Sequence, residues 1–455
     1  MKNVLIILLL TLNALVVAAQ EDHSQFIEGP FATPQDVTLT CLGCHDGVDT
    51  AIMKTRHWNW KGNEFATPGG GKAWLGKQNL INNFCIAVPS NWPRCTSCHI
   101  SYGWKDISFD FTDSKNIDCL VCHDQTGTYL KTPTGAGMPD PKVDLLKVAQ
   151  SVGKTRIANC AACHFNGGGG TGVKHGDMDA SLLHPTPEID VHMGQYNFTC
   201  ASCHAGEHHQ ILGASHGSSV AGANHIACVD CHSKTVHEMK ILNDHIKTVA
   251  CETCHIPAFA RQEPTKTWWD WSTAGQDKVA QKDEYGMETY NKMKGDFVWE
   301  KNVIPTYRWY NGKTRYYQMG EKLNPGENLI LNRLEGEISD AHSKITPFKL
   351  MKGKQIYDEK LKYLIIPKLF GEKGYWKTYD WDEASRIGME TVNLEYSGVF
   401  AFVSTEMYWP INHMVVPAEK ALSCDDCHGH NKATRLNWKA LGYEGDPLKT
   451  GSRRQ

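Results

Sequence analysis

One arrangement of thiols and imidazoles, Cys-x-x-Cys-His, occurs eight times in this chain. Its copies are Cys41, Cys44 and His45; Cys95, Cys98 and His99; Cys119, Cys122 and His123; and Cys160, Cys163 and His164. It returns as Cys200, Cys203 and His204; Cys228, Cys231 and His232; Cys251, Cys254 and His255; and Cys424, Cys427 and His428. Two thiols at this spacing can form thioethers with the two vinyl groups of one haem. The His that follows can then turn under the ring and ligate the iron. Zinc sites use paired cysteines but do not need a His after every second Cys. Disulfide frameworks belong to small secreted domains, and this chain has 455 residues. The pattern predicts eight covalently bound c-type haems.

Low-spin haems that transfer electrons need a second strong axial ligand. Fourteen of the 22 His lie outside the motifs. His57, His184, His192, His216, His225, His237, His245 and His413 are the expected second ligands, with His175, His208, His209 and His430 in reserve. His225 and His245 stand just upstream of motifs, and His413 stands eleven residues before Cys424. The supply exceeds seven, so counting does not decide whether one haem lacks a second His.

Sixteen of the 17 Cys belong to motifs; Cys85 does not. Two readings stand for it. It is an inert buried thiol, or a thiolate beside the second haem that attacks a sulfur–sulfur bond. The run from Gly167 to Gly176 holds Lys174 behind a string of glycines. Again two readings stand. It is a loop with a solvated lysine, or a close backbone approach to a haem face. In the second reading Lys174 offers a neutral amine to iron or a cation to an anionic substrate, and the amine requires desolvation.

These residues need a scaffold. Met1–Ala19 has a charged start, an apolar core and a small-residue cleavage site, which predicts an export signal and a periplasmic protein without stable membrane insertion. From residue 20 to 266 the chain carries seven motifs and is rich in Gly, Asn, Ser and Pro. Its lead-in, 21–40, reads as strand or loop. Asp140 to Gly153 reads as a helix with Asp140 as cap and Pro141 in the first turn. Cys95 to Cys119 is 24 residues and Cys228 to Cys251 is 23, links short enough to predict neighbouring haems. Residues 267–400 carry no motif and are rich in aromatics, expected mainly to pack a core. Tyr307–Tyr317 reads as a hairpin around Asn311-Gly312, 345–366 as strands, and Asp380–Tyr396 as a helix stopped by Gly398. Residues 401–455 hold the eighth motif and a last short helix from Lys432 to Leu441. The expected fold is mainly α and irregular: a loop-rich multihaem cytochrome c with short helices and a small β-containing, haem-free insert. A formal net charge of −3 gives no support for nucleic-acid binding.

The eight motifs, the lone Cys85, the glycine run ending at Lys174, the Tyr307–Tyr317 stretch and the Pro410–His428 stretch together resemble the octahaem tetrathionate reductases. The resemblance covers essentially the whole mature chain. The motif count alone is shared with octahaem hydroxylamine oxidoreductases and nitrite reductases. What the resemblance implies is a periplasmic enzyme with seven bis-His haems and one active-site haem carrying a lysine ligand. That role falls on Lys174, the active-site haem on Cys95, Cys98 and His99, and the active-site cysteine on Cys85. The implied substrate is a small inorganic anion, and the implied partner is an electron-donating redox protein or quinol-linked cytochrome. The family also reduces nitrite and hydroxylamine, so an ammonia-forming reductase is the alternative. The absence of a CxxCK motif counts against a dedicated nitrite reductase. A pure electron carrier with eight six-coordinate haems is the third reading.

Overall fold

The computed structural model describes residues 22–62, 64–66, 72–166, 170–213, 226–429 and 434–451. The export segment therefore lies outside the described residues. Before Thr265 the described chain is short helices and turns with two small strand pairs, and no helix there exceeds Pro34–Leu42. Four of the eight motifs end a helix on their own His: Leu120–His123, Ile157–His164, Cys251–His255 and Cys424–His428. The lead-in is helical rather than extended. Thr33 caps Pro34–Leu42 by accepting from the Asp36 amide, and Asp36 accepts from the Thr33 amide. The helix expected from Asp140 begins later, at Leu145, and ends at Gln150. Asp144 is its cap; Asp140 instead accepts from the Lys142 amide and makes a turn.

A second layer is an eight-stranded mixed sheet built around one long strand, Lys344–Asp358. That strand runs antiparallel to Phe400–Pro410 along eleven paired positions and parallel to Thr265–Asp270. Gly295–Glu300 and Tyr290–Asn291 extend the sheet on one side and Leu329–Ile330 on the other. The sheet draws its strands from residues 265 to 410, overrunning the expected 267–400 region at both ends. The expected hairpin is not formed. Thr306–Tyr310 pairs with Lys344–Pro347, and Thr314–Tyr316 pairs with Asn332–Leu334. Asn311 and Gly312 do turn the chain, with Gly312 at φ 87°, but tertiary contacts choose the partners. Tyr307 and Trp309 are buried against Ile345, Leu436 and Leu441, and that burial outweighs the local hairpin register.

Asp380 caps the helix Trp381–Thr391 by accepting from the Asp382 and Glu383 amides. It ends at Val392, before Gly398. The described part of the last expected helix, 434–441, is turn rather than helix. As expected, most of the aromatics form core: Trp269, Trp271, Trp299, Tyr316 and Tyr317 are buried, most of them with Met351, Ile356 and Met407, and Trp409 joins them from beyond the 267–400 region.

Candidate haem ligands and active site

Seven of the eight motif histidines face a second histidine. The ring centroids lie 6.3 Å apart in His23–His45, 6.2 Å in His57–His164 and 6.3 Å in His123–His209. They lie 6.0 Å apart in His192–His232, 6.2 Å in His204–His413, 6.1 Å in His237–His255 and 6.3 Å in His245–His428. Two metal–nitrogen bonds of about 2 Å and two half-rings span such a distance, so each pair fits one iron between its rings.

The hydrogen bonds leave the correct nitrogen bare. Nδ1 of His123, His204 and His245 lies 2.8, 2.9 and 2.7 Å from the carbonyl oxygens of Gly153, Leu212 and Ile241. A carbonyl only accepts, so each Nδ1 carries the proton and each Nε2 keeps its lone pair. Carboxylates do the same for His413 (Asp177) and His428 (Asp446). Six of these seven pairs stand on a connected cavity of about 3430 Å³. That is several times the volume of a single small-ligand pocket, about 300–1,000 Å³. The donor set and the space both suit haem.

The structure places the expected second ligands unevenly. His57, His192, His237, His245 and His413 each face a motif histidine. His184 is exposed at the end of a short turn and faces no motif histidine among the described residues. His216, His225 and His430 lie outside the described residues. His209, held in reserve, and His23, given no role, are the other two partners. His175 is half-buried with its ring 5.2 Å from Trp409. Neither His175 nor His208 opposes a motif histidine.

The motif thiols show which haem positions adjoin. Cys41 lies near Cys119, Cys98 near Cys163, Cys160 near Cys200, and Cys228 near Cys251, each pair close enough for its thiols to influence one another. Cys122 with Cys160, Cys203 with Cys231, and Cys254 with Cys424 are close enough to interact as charges. The positions thus run first, third, fourth, fifth, sixth, seventh, eighth, and the second branches from the fourth. The short link from Cys228 to Cys251 does join neighbours. The short link from Cys95 to Cys119 does not bring their thiols together; the second motif meets the fourth instead.

The second motif differs from the rest. His99 is fully buried and faces no histidine among the described residues; its Nε2 is 2.5 Å from the Trp58 carbonyl oxygen and its Nδ1 is 2.6 Å from Ser101 Oγ. Both ring nitrogens are engaged in hydrogen bonds within the protein, whereas His123 and His204 engage Nδ1. Lys174, Cys85 and Lys77 converge on this motif instead. Lys174 is half-buried, and loss of hydration pushes its amine down to about 8, with Lys77 acting the same way and Cys85 and Cys98 opposing. Cys85 is half-buried and also acts on Cys95. Lys77 lies over the Trp60 ring at 4.3 Å and lines the large cavity with Cys98 and Lys174.

One strand positions both candidate catalytic residues. The Met351 carbonyl accepts from Asn83 Nδ2 at 2.9 Å, and Asn82 Oδ1 accepts from the Cys85 amide at 2.6 Å. Two residues before Met351 on the same strand, Lys349 donates from its buried Nζ to the Val173 carbonyl at 2.6 Å, the Lys174 carbonyl at 3.3 Å and Thr265 Oγ1 at 2.5 Å. Trp409, paired with Lys349 across the sheet, sets its ring 5.4 Å from Lys174 Nζ and 5.6 Å from the Phe84 ring.

Comparison with known proteins agrees with this architecture. Residues 266–431 match the family model described as Cytochrome c bacterial. A crystal structure of octahaem cytochrome c from Shewanella oneidensis is similar at a TM-score of 0.90 and 50% identity, over 96% of this chain and 100% of that one. The chain belongs to the octahaem c-type cytochromes. A protein of Archaeoglobus fulgidus with no described function is 25% identical, over 42% of this chain and 80% of its own length.

This octahaem cytochrome therefore carries covalently bound haem c and works in electron transfer or redox catalysis. No helix among its described residues is long and apolar enough to cross a membrane. Three of its site residues give no signal in the sequence. Lys77 and Lys349 are ordinary lysines until the fold buries one and turns the other toward Cys98. His23 stands 18 residues before Cys41 and is joined to His45 only by tertiary structure.

Proposed function

We propose that this octahaem cytochrome is a periplasmic tetrathionate reductase with eight haems, seven held between the paired histidines and one at the second motif with Lys174 as its axial ligand. The observation that carries the reading is the convergence of Cys85, Lys174 and Lys77 on the one motif whose histidine is engaged elsewhere. Loss of hydration brings the neutral form of Lys174 within reach of ordinary pH, as an amine ligand requires. Lys77 is then the cation that meets the dianionic substrate.

Bound haem supplies the relay of one-electron carriers and the iron centre at this site. The chain itself supplies the sulfur chemistry. The Cys85 thiolate attacks one central sulfur of tetrathionate, forming a new S–S bond as the original central bond breaks. Thiosulfate leaves with the bonding electron pair. Two electrons then cleave the Cys85–thiosulfate bond, restore the thiolate and release the second thiosulfate. No proton is consumed. Asn82 fixes the Cys85 backbone, Lys349 fixes the Lys174 backbone, and the strand that connects them fixes their separation. An electron-donating redox protein or quinol-linked cytochrome serves as the partner that supplies the electrons.

The test is anaerobic oxidation of a reduced dye by the purified holoprotein, with tetrathionate, nitrite and hydroxylamine in parallel. The expected result is two thiosulfates per tetrathionate from protein whose mass exceeds the mature polypeptide by eight haems. Turnover of nitrite and hydroxylamine alone selects the ammonia-forming reading. No turnover of any of them selects the pure carrier.

A further inference from the structure

His99 differs in tautomer from the motif histidines whose ring hydrogen bonds are defined, His123, His204 and His428. The Trp58 carbonyl can only accept, so Nε2 of His99 carries a proton. Burial keeps the ring neutral. Nδ1 is therefore the bare nitrogen, and the Ser101 hydroxyl donates to it. His123, His204 and His245 have the opposite tautomer, with Nδ1 protonated and Nε2 bare.

The backbone reinforces this. His123, His164, His255 and His428 close helical turns, whereas His99 leaves its turn extended at φ −78°, ψ 147°. Its carbonyl accepts from Lys131 Nζ at 2.5 Å. Lys131 is buried and paired with the buried Asp118 at 2.9 Å, which also accepts from Tyr102 and Tyr129. The ring is boxed by Trp104 at 4.7 Å, Trp60 at 4.9 Å and Trp58 at 5.6 Å. Gly137 lets the next segment close on Ser101: at φ 87°, a Cβ there would fall 2.1 Å from the Ser101 carbonyl oxygen. Cys98 faces the large cavity, and His99, one residue on, does not.

We infer that Ser101, acting with the Trp58 carbonyl and Lys131, is a positioning residue that holds His99 off the second haem and so reserves that iron for Lys174. For His99 to ligate through Nε2, it must shed a proton from a buried hydrogen bond and leave the Trp58 carbonyl and the Ser101 hydroxyl unpaired. The inference rests on the reading of Lys174 as the axial ligand.

The experiment uses holoprotein variants with haem content checked by mass, read by electron paramagnetic resonance with and without added methylamine. In Lys174→Ala, His99 stays held, so methylamine should restore the wild-type signal of the eighth haem. In Lys174→Ala with Ser101→Ala, His99 should move in. That haem should become histidine-type, and its response to methylamine should weaken about tenfold or more. Ser101→Thr, which keeps a hydroxyl, should retain the full methylamine response in the Lys174→Ala background. The other seven signals serve as the folding control. A histidine-type signal in Lys174→Ala alone would show that His99 is not held off, overturning the inference while leaving lysine ligation intact. An unchanged wild-type signal in Lys174→Ala would remove lysine ligation and the inference with it. Equal methylamine responses in the single and double variants would show that Ser101 is not the hold.

Discussion

Lys266 has an environment that makes a quantitative prediction. It is 2% exposed, with Nζ 3.2 Å from the Phe297 ring centroid, 4.3 Å from Trp269 and 4.8 Å from Trp299. Burial, with Lys294 adding a like charge, pushes its amine from 10.5 down to about 6. At pH 7 the folded state holds it neutral while the unfolded chain holds it protonated. At about 1.36 kcal/mol per pH unit, that difference costs about 5 kcal/mol at pH 7. The three rings favour the cation by about 0.5–2 kcal/mol each and offset part of the cost. Lys266→Met keeps the length and removes the titration. It should raise the unfolding free energy by about 1–4 kcal/mol at pH 7. The sign with pH follows from the depressed value: the contribution of Lys266 is complete above 10.5 and is lost as pH falls toward 6. The advantage of Met should therefore shrink as pH rises from 7 to 10. The assay is urea denaturation followed by far-ultraviolet circular dichroism at several pH values. A Met variant less stable at pH 7, by an amount that does not vary with pH, would refute the reasoning. It would show a charged lysine held well by its aromatic cage.

Two further predictions concern positioning and ligation. Lys349→Met removes the donors to the Val173 and Lys174 carbonyls and should lower the unfolding free energy by about 1–3 kcal/mol. The magnetic resonance signal of the second haem should broaden while the bis-His signals stay sharp. His23→Ala removes the imidazole opposite His45 and should convert one bis-His signal to high spin without changing the haem mass. His184→Ala should leave all signals as they are.

The chemistry of this chain is legible where it is local. Every thioether-forming Cys sits at fixed spacing because one haem must reach both thiols, so the motifs read directly from the sequence. Cys85 and Lys174 are legible as exceptions, a thiol without a motif and a lysine behind glycines. The second ligands are not local. His57 and His413 lie among or just before motifs, while His23 and His209 acquire their partners only through tertiary contact. His184 has the same local signal as His192 and ends exposed. Haem order is hidden for the same reason, since 24 residues from Cys95 to Cys119 suffice to reach away as well as across. The Asn311-Gly312 turn was legible, but its strand partners were not. A long strand that buries Tyr307 and Trp309 outcompetes a two-residue loop. The tautomer of His99 is set by Trp58 and Ser101, and the first of these stands 41 residues away.

Cys85 is proposed as the sulfur nucleophile of a tetrathionate-reducing site. The most direct test of this proposal is steady-state turnover of tetrathionate, nitrite and hydroxylamine by wild type and Cys85→Ser, with equal haem content. Serine keeps the size but gives no thiolate at neutral pH. Tetrathionate turnover should fall about a hundredfold or more, with nitrite and hydroxylamine turnover little changed. An equal fall in all three rates, or no fall in any, would contradict the account.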